Sequence, residues 1–489
     1  MKGIVAAGHP LTAEAGAAVL RDGGNAVDAA VAAMLTSWAA EPLLTGPGAG
    51  GYMLVAGADE EPALLDFFVE APGRGLARTA PAELMPVEVS FGDAVQIFNC
   101  GAASCGTYGC PAGVSAAMER WGSLPLAQLA APAAALARSG VELNAQQAYV
   151  FALLAGILCS TPEAAAVFAP GGRVLAEGER FRSEELGDSI ELLGAEGSAP
   201  FYTGSKASAV ASWLGARGGL LTAEDLASYE AVVRTPVRVR YRGRSVLTNP
   251  PPSAGGLLLA LALALLDRRP APPRPMDLVE VMERAQEERT DAFVSGLAGP
   301  GFAASFLGSR LGATTHISVL DGWGRACSVT CTNGEGSGVV VPGTGLHVNN
   351  ILGEEDLNPL GFHAFDAGRR MPSMMAPTVV LSADGAVELV LGSAGSNRIR
   401  SAILQTIVGV VDRELSAQGA VDAARLHFED GIVYAEPGVD LAELRAAGRA
   451  VAPFRAPNLF FGGVQAVARS AGGALSGGAD PRRGGVVAS

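Results

Sequence analysis

The stretch 26–40, AVDAAVAAMLTSWAA, is apolar on nearly every side, and it constrains the fold more than any other feature of the chain. A helix of this kind has no face to offer to water, so it must be covered all round and belongs at the centre of a core. Asn25 stands before it as an N-cap. An earlier helix, running from Thr12, is closed by Gly23 and Gly24. With 489 residues, 49% of them hydrophobic, the chain has material for one large core or two to three ordinary ones.

A formal charge of -14 argues against wrapping nucleic acid or resting on an anionic membrane, since both need a positive surface field. The longest Leu/Ala run, from Leu257 to Leu266, falls well short of the roughly 20 residues that span a bilayer. The N-terminal stretch lacks a cleavage-site pattern, so a cytoplasmic location is expected. Six cysteines without a C-x-x-C pair do not form a disulfide framework, and Cys100, Cys105 and Cys110 are expected to be buried free thiols. Gly46, Gly48 and Gly51 spell G-x-G-x-x-G, but a helix precedes them, a strand follows and Pro47 interrupts. A tight turn with close backbone approach is the expectation, not a dinucleotide site.

Strands are predicted at 52–56 and 64–68, mostly helix over 113–219, a buried helix from near Gly255, and an amphipathic helix after the proline-rich linker at 270–275. After Thr314 strand patterns dominate, with one intervening helix around RIRSAILQTIVGVVDREL. Two groups of strands between helices predict sheet packed on sheet, flanked by helices.

Within HISVLDGWGRACSVT, two strands alternate about a Gly-Trp-Gly connection. Counting outward from Asp321 opposite Arg325 places Ser318 opposite Ser328, His316 opposite Thr330 and Thr314 opposite Thr332. Paired residues have Cβ atoms about 4.5–5.5 Å apart, so the hydroxyls of Thr314 and Thr332 are within reach of a shared hydrogen bond. A threonine hydroxyl needs a base before it can attack. The chain has no nucleophile-elbow, zinc-protease or P-loop motif to supply another chemistry. Cutting the Ala313–Thr314 bond would free an α-amine with a pKa of about 7.7–8.0, suited to proton transfer at neutral pH. The plain alternative is that threonine pairs are ordinary strand chemistry; His316 by itself reads as a packed histidine.

Ten blocks in order, among them AGAAVLRDGGNAVDAAVAA, EPLLTGPGAGGYMLV, PPPSAGG, TTHISVLDGWGRACSVTCTN, GTGLHVNN, GSAGSNRI and DPRRGG, resemble the γ-glutamyltransferase (glutathione hydrolase) family of N-terminal-nucleophile hydrolases. The resemblance implies an α+β fold, a four-layer αββα sandwich, and a precursor that cuts itself before Thr314. The products would be a large piece, 1–313, and a small piece, 314–489, interleaved as one domain and remaining together as a heterodimer. It implies Thr314 as nucleophile, Thr332 as the residue orienting its hydroxyl or amine, and the backbone N–H groups of Gly395 and Ser396 as an oxyanion hole. It implies Ser373, Asn333 and Glu354 as substrate-binding residues, with no metal or other cofactor. The implied substrate is a small γ-glutamyl amide such as glutathione, with water or an amine or peptide as acceptor.

The chain departs from the family pattern where the substrate's carboxylate is gripped. Phe68 stands at the position of an arginine, Met374 at that of a second serine, and Glu354 is the acidic residue available for an α-amino group. A ring does not replace a bidentate guanidinium–carboxylate contact. An acylase with another acyl donor, such as a glutaryl amide, is therefore a second reading. An unprocessed, inactive binding homologue is a third. Arg74 is expected either to reach back into the site or to lie solvated on the surface.

Overall fold

The computed structural model describes residues 3–57, 60–77, 82–90, 95–287, 315–358 and 360–489. Thr314, the residue on which the sequence argument turns, lies outside the described residues, as does Ala313.

Two antiparallel sheets organise the mixed α/β structure. Seven strands pair in the order Val486–Ala488, Gly3–Ala7, Thr315–Asp321, Ala326–Thr332, Gly50–Gly57, Glu60–Phe67 and Val232–Arg234. Six pair in the order Leu475–Ala479, Gly463–Arg469, Val387–Ala394, Thr378–Leu381, Arg244–Thr248 and Val237–Tyr241. Chain-distant segments thus lie side by side, with Gly3–Ala7 and then Val486–Ala488 in succession on one side of the Thr315–Asp321 strand.

Strand alternation assigns each side chain to a layer. Ile317, Val319, Val329, Met53 and Val55 point to one core, together with Val27, Ala30, Leu35 and Trp38 of the Ala26–Ala40 helix. Leu320, Ala326, Tyr52 and Leu54 point the other way, to a second core shared with Val380, Leu391 and Val464 of the six-stranded sheet. Leu258 and Leu263 of the Ala254–Asp267 helix and Ile403 and Ile407 of the Ile399–Val411 helix belong to that second core. Each fully buried Leu, Ile, Val or Met contributes about 1.5–3 kcal/mol relative to exposure.

All fifteen residues of Ala26–Ala40 are buried, as an all-apolar helix requires. Asn25 caps it, accepting from the backbone N–H groups of Val27 at 2.7 Å and Asp28 at 3.1 Å, while Asp28 accepts from Asn25 N–H at 2.9 Å. Asp321, at the hairpin turn, accepts from Ala26 N–H at 3.1 Å and from Trp323 and Arg325 N–H at 2.9 Å. One carboxylate therefore fixes the turn and sits at a helix N-terminus, where the macrodipole favours negative charge.

The remaining helix expectations match closely: Ala254–Asp267, Pro275–Glu287 and Ile399–Val411. Cys100, Cys105 and Cys110 are buried free thiols, and burial pushes Cys100 and Cys105 up to about 12. At the G-x-G-x-x-G run, a side chain on Gly48 would overlap the carbonyl of His347, so this turn serves backbone packing. Among the described residues, no helix is long and apolar enough to cross a membrane.

Candidate active site

The hairpin register is the one counted from the sequence. Thr315 pairs with Cys331, His316 with Thr330 and Ser318 with Ser328. On the next strand Thr332 pairs with Gly50. Thr315, the first described residue of its strand, is buried, and its hydroxyl donates to Glu41 Oε2 at 3.3 Å.

His316 is a packed histidine. Its ring nitrogens contact Thr330 Oγ1 at 2.7 Å and Ser318 Oγ at 2.9 Å, and Ser328 Oγ lies 3.4 Å away. The ring lies so close to Gly392 of the facing sheet that a side chain there would overlap it. Burial lowers its pKa to about 3, so it is neutral at physiological pH, and the Ser318 and Ser328 hydroxyls beside it donate across to Gln465 O at 3.0 Å and Leu391 O at 3.1 Å of the facing sheet.

Thr332 turns its hydroxyl back on the chain, accepting from Gly334 N–H at 2.7 Å. Asn333 donates its N–H to Leu44 O at 3.0 Å, and Asn350 donates its N–H to Asn333 O at 3.0 Å. A side chain on Gly334 would overlap Glu354 Oε1 and Asn350 Oδ1, so Thr332, Asn333, Asn350 and Glu354 form one cluster. Both polar side-chain atoms of Asn333 and of Asn350 are buried without a partner among the described residues. Burying such groups unpaired costs about 1–3 kcal/mol each.

Gly395 and Ser396 end the Val387–Ala394 strand. Gly395 has φ 120° and packs on Gly462, whose Cα would lie 2.6 Å from any added Cβ. Ser396 has φ 54°, a left-handed conformation uncommon for a residue with a side chain. Strain of this kind, about 1–3 kcal/mol, concentrates at functional sites.

Ser373 is placed elsewhere in the network. Its hydroxyl accepts from Met375 N–H at 3.0 Å, while its carbonyl accepts from Ser253 Oγ at 3.0 Å and from Ala254 N–H at 2.7 Å, holding the start of the Ala254–Asp267 helix. Phe68 is fully buried and stacks on Tyr52 with ring centroids 5.5 Å apart. Met374 is fully buried in the same core. Two of the positions where the family resemblance leads one to look for a carboxylate grip, 68 and 374, therefore carry buried apolar side chains. Arg74 neither reaches this region nor lies free in solvent: it pairs with Glu70 at 3.4 Å and Asp225 at 3.5 Å.

Sequence reasoning missed a cleft of about 70 Å³ beside the start of the Thr315–Asp321 strand. Its lining includes His9, Glu41, Leu44, Gln147, Leu459 and Arg483. Glu41 is buried, and desolvation raises its pKa to about 7 against the opposing hydrogen bond from Thr315. His9 caps the Pro10–Arg21 helix, accepting from Leu11 N–H at 3.2 Å, and burial lowers its pKa to about 4. Arg483 Nη2 stands 3.5 Å from where a Gly395 Cβ would be. Through Glu41, Leu44 and Arg483, the cleft borders three of the candidate segments: Thr315, Thr332–Asn333 and Gly395–Ser396.

The model of the Gamma-glutamyltranspeptidase family matches residues 12–297 and 302–489. The chain belongs to this family. It is 31% identical to the acylase ACY 1 proenzyme of Pseudomonas sp. (strain SE83), over 98% of this chain and 92% of that one. It is 30% identical to the glutathione hydrolase proenzyme of Escherichia coli (strain K12), over 98% of this chain and 90% of that one. The cephalosporin acylase of Bacillus halodurans superposes with a TM-score of 0.84 at 26% identity, covering 100% of this chain and 95% of that structure. Family membership makes this an enzyme of the transpeptidase and hydrolase kind, related to both glutathione hydrolases and acylases.

Proposed function

We propose that this chain is a self-cleaving amide hydrolase and acyltransferase in which Thr314 becomes an N-terminal nucleophile. In this reading the sheets and helices stack as an αββα sandwich, and residues 1–313 and 314–489 are two pieces of one interleaved domain. The observation that carries it is the register Thr315↔Cys331 at the rim of the cleft. The sequence count that agrees with this register is the one that puts Thr314 opposite Thr332.

For self-cleavage, Thr314 Oγ attacks the Ala313 carbonyl carbon, the C–N bond breaks as the acyl group passes to oxygen, and water hydrolyses the ester. Ala313 leaves as a carboxylate and Thr314 keeps a free amine. In turnover that amine accepts the proton of Thr314 Oγ as the oxygen attacks the substrate amide. The Gly395 and Ser396 N–H groups stabilise the oxyanion, a contribution of about 2.7–4 kcal/mol per donor. The leaving amine takes the proton, and water or a second amine releases the acyl group.

For the acyl donor, the apolar setting of Phe68 and Met374 favours an acylase, in keeping with the acylase relatives. The unpaired amides of Asn333 and Asn350 then receive a polar end of the acyl chain, as in a glutaryl group. A γ-glutamyl donor is the second reading, favoured by Glu354 beside Asn350 as a partner for an ammonium group. Initial rates on glutaryl-p-nitroanilide and γ-glutamyl-p-nitroanilide separate them: a higher kcat/KM on the glutaryl amide supports the acylase, and the reverse order supports the γ-glutamyl enzyme.

A further inference from the structure

Two short segments, SNRIRS at 396–401 and LHFE at 426–429, are joined through their polar side chains. In the Leu426–Glu429 strand, alternation sends Leu426 and Phe428 into the second core and leaves His427 and Glu429 on the opposite face. Asn397 and Ser401 stand four residues apart, one in the turn after Gly395 and the other in the first turn of the Ile399–Val411 helix. The two pairs meet. Asn397 Nδ2 donates to Glu429 Oε1, the other carboxylate oxygen lies 3.6 Å from His427 Nε2, and His427 Nδ1 is 2.8 Å from Ser401 Oγ.

The strand is docked to the helix by other means: Gln405 Nε2 donates to Leu426 O at 2.8 Å, and Leu426 N–H donates back to Gln405 Oε1 at 3.0 Å. What Glu429 restrains is the turn. Asn397 is buried, and its Oδ1 has no partner among the described residues, so the Nδ2 bond to Glu429 is the tether of that side chain. The preceding residue, Ser396, is the one held at φ 54°, and Arg398 N–H donates to Gly395 O at 3.1 Å across the turn. A backbone placed in this way persists only where its surroundings over-determine it. Burial opposes the ionisation of Glu429, but the His427 contact and the charges of Arg398 and Arg400 outweigh it and hold the pKa at about 2, so the tether is a carboxylate at neutral pH. Burial lowers the pKa of His427 to about 4, which leaves its ring neutral.

We propose that Glu429 is a positioning residue for the oxyanion hole: through Asn397 it fixes the Ser396–Asn397 peptide, and with it the aim of the Gly395 and Ser396 N–H groups. It does so from a small sheet, Leu426–Glu429, Ile432–Ala435 and Ala450–Pro453, that is separate from the two main ones. The inference rests on the oxyanion role proposed above for those two N–H groups. Such donors serve only when they point at the place where charge develops, so a turn free to relax loses rate without losing substrate. In this role Glu429 touches no reacting atom and acts through one side-chain bond.

The test exchanges donor and acceptor and is read on the better of the two p-nitroanilides. Asn397→Asp sets two carboxylates against each other, and Glu429→Ala removes the acceptor; each should lower kcat by about tenfold and leave KM unchanged. Asn397→Asp combined with Glu429→Gln rebuilds the bond with the amide on the other side, and should return kcat to near the wild-type value. Where Glu429→Ala does not fold, the exchanged pair decides alone. Wild-type kcat in the single variants overturns the proposal, even with a lowered melting temperature, because that is what a merely structural tie would show. A loss confined to KM, or a double variant as slow as Asn397→Asp, overturns it as well. Gly395→Ala separates this inference from the reading beneath it. If Gly395→Ala is slow while Glu429→Ala and Asn397→Asp are not, the positioning role alone falls; wild-type kcat in Gly395→Ala removes the oxyanion role itself.

Discussion

The Thr315 hydroxyl donates to Glu41 Oε2 at 3.3 Å, one residue from the junction at which the chain is proposed to break. Glu41 caps the C-terminus of the fully buried Ala26–Ala40 helix, and it lines the cleft.

This placement has a pH signature. Burial raises the Glu41 pKa from 4.5 to about 7. Between those values the folded protein holds a proton that the unfolded chain has lost. The stabilisation is complete below pH 4.5 and is lost as pH rises through about 7. The full difference is about 3 kcal/mol at 1.36 kcal/mol per pKa unit. Urea unfolding of Glu41→Gln should remove this fall, leaving the variant more stable than wild type at pH 8. Equal pH slopes in the two proteins would contradict the placement of Glu41 in a desolvated site.

His316 should respond in the opposite direction. Its folded pKa, about 3, lies below the ordinary 6.5, so its contribution is present above pH 6.5 and is lost as pH falls toward 3. His316→Gln should reduce the acid-side slope of stability. His316→Ala should destabilise by about 3 kcal/mol, because it leaves a cavity against Gly392 and removes the partner of the Thr330 and Ser318 hydroxyls. An acid limb of the activity profile that persists in both variants would agree with a structural role; a limb that vanishes would make His316 a catalytic base.

The oxyanion role proposed for Gly395 and Ser396 predicts two contrasting substitutions. Gly395→Ala would force a Cβ to within 2.6 Å of Gly462 Cα at a φ of 120°, displacing an N–H donor. Its kcat should fall by about 100-fold or more. Ser396→Gly should relieve the left-handed φ, raise stability by about 1 kcal/mol and retain activity. Thermal unfolding and initial rates check both, and a Gly395→Ala enzyme with wild-type kcat would remove this segment from the mechanism.

Much of the fold could be read from local pattern. The all-apolar helix at 26–40, its Asn25 cap and the hairpin register about Gly322–Gly324 depend on near neighbours, and each is as the sequence indicated. The cleft could not be read in the same way. Glu41, His9 and Arg483 line one cleft because Gly3–Ala7 and Val486–Ala488 lie in succession on one side of the Thr315–Asp321 strand, and no spacing in the sequence records that arrangement. Nor does DPRRGG reveal which arginine is spent on Glu436 and Asp480. Ser373 is singled out by its motif, and what the sequence does not show is that its hydroxyl also accepts the backbone N–H of Met375 at 3.0 Å.

The central claim is that the chain breaks before Thr314 and that the new end carries the nucleophile. Intact-mass measurement of the purified, active protein, with N-terminal sequencing of the smaller product, tests it most directly. The account predicts two polypeptides, 1–313 and 314–489, the second beginning with threonine, and a Thr314→Ala variant that stays whole and inactive. Active protein whose backbone is continuous from Ala313 to Thr314 would contradict it.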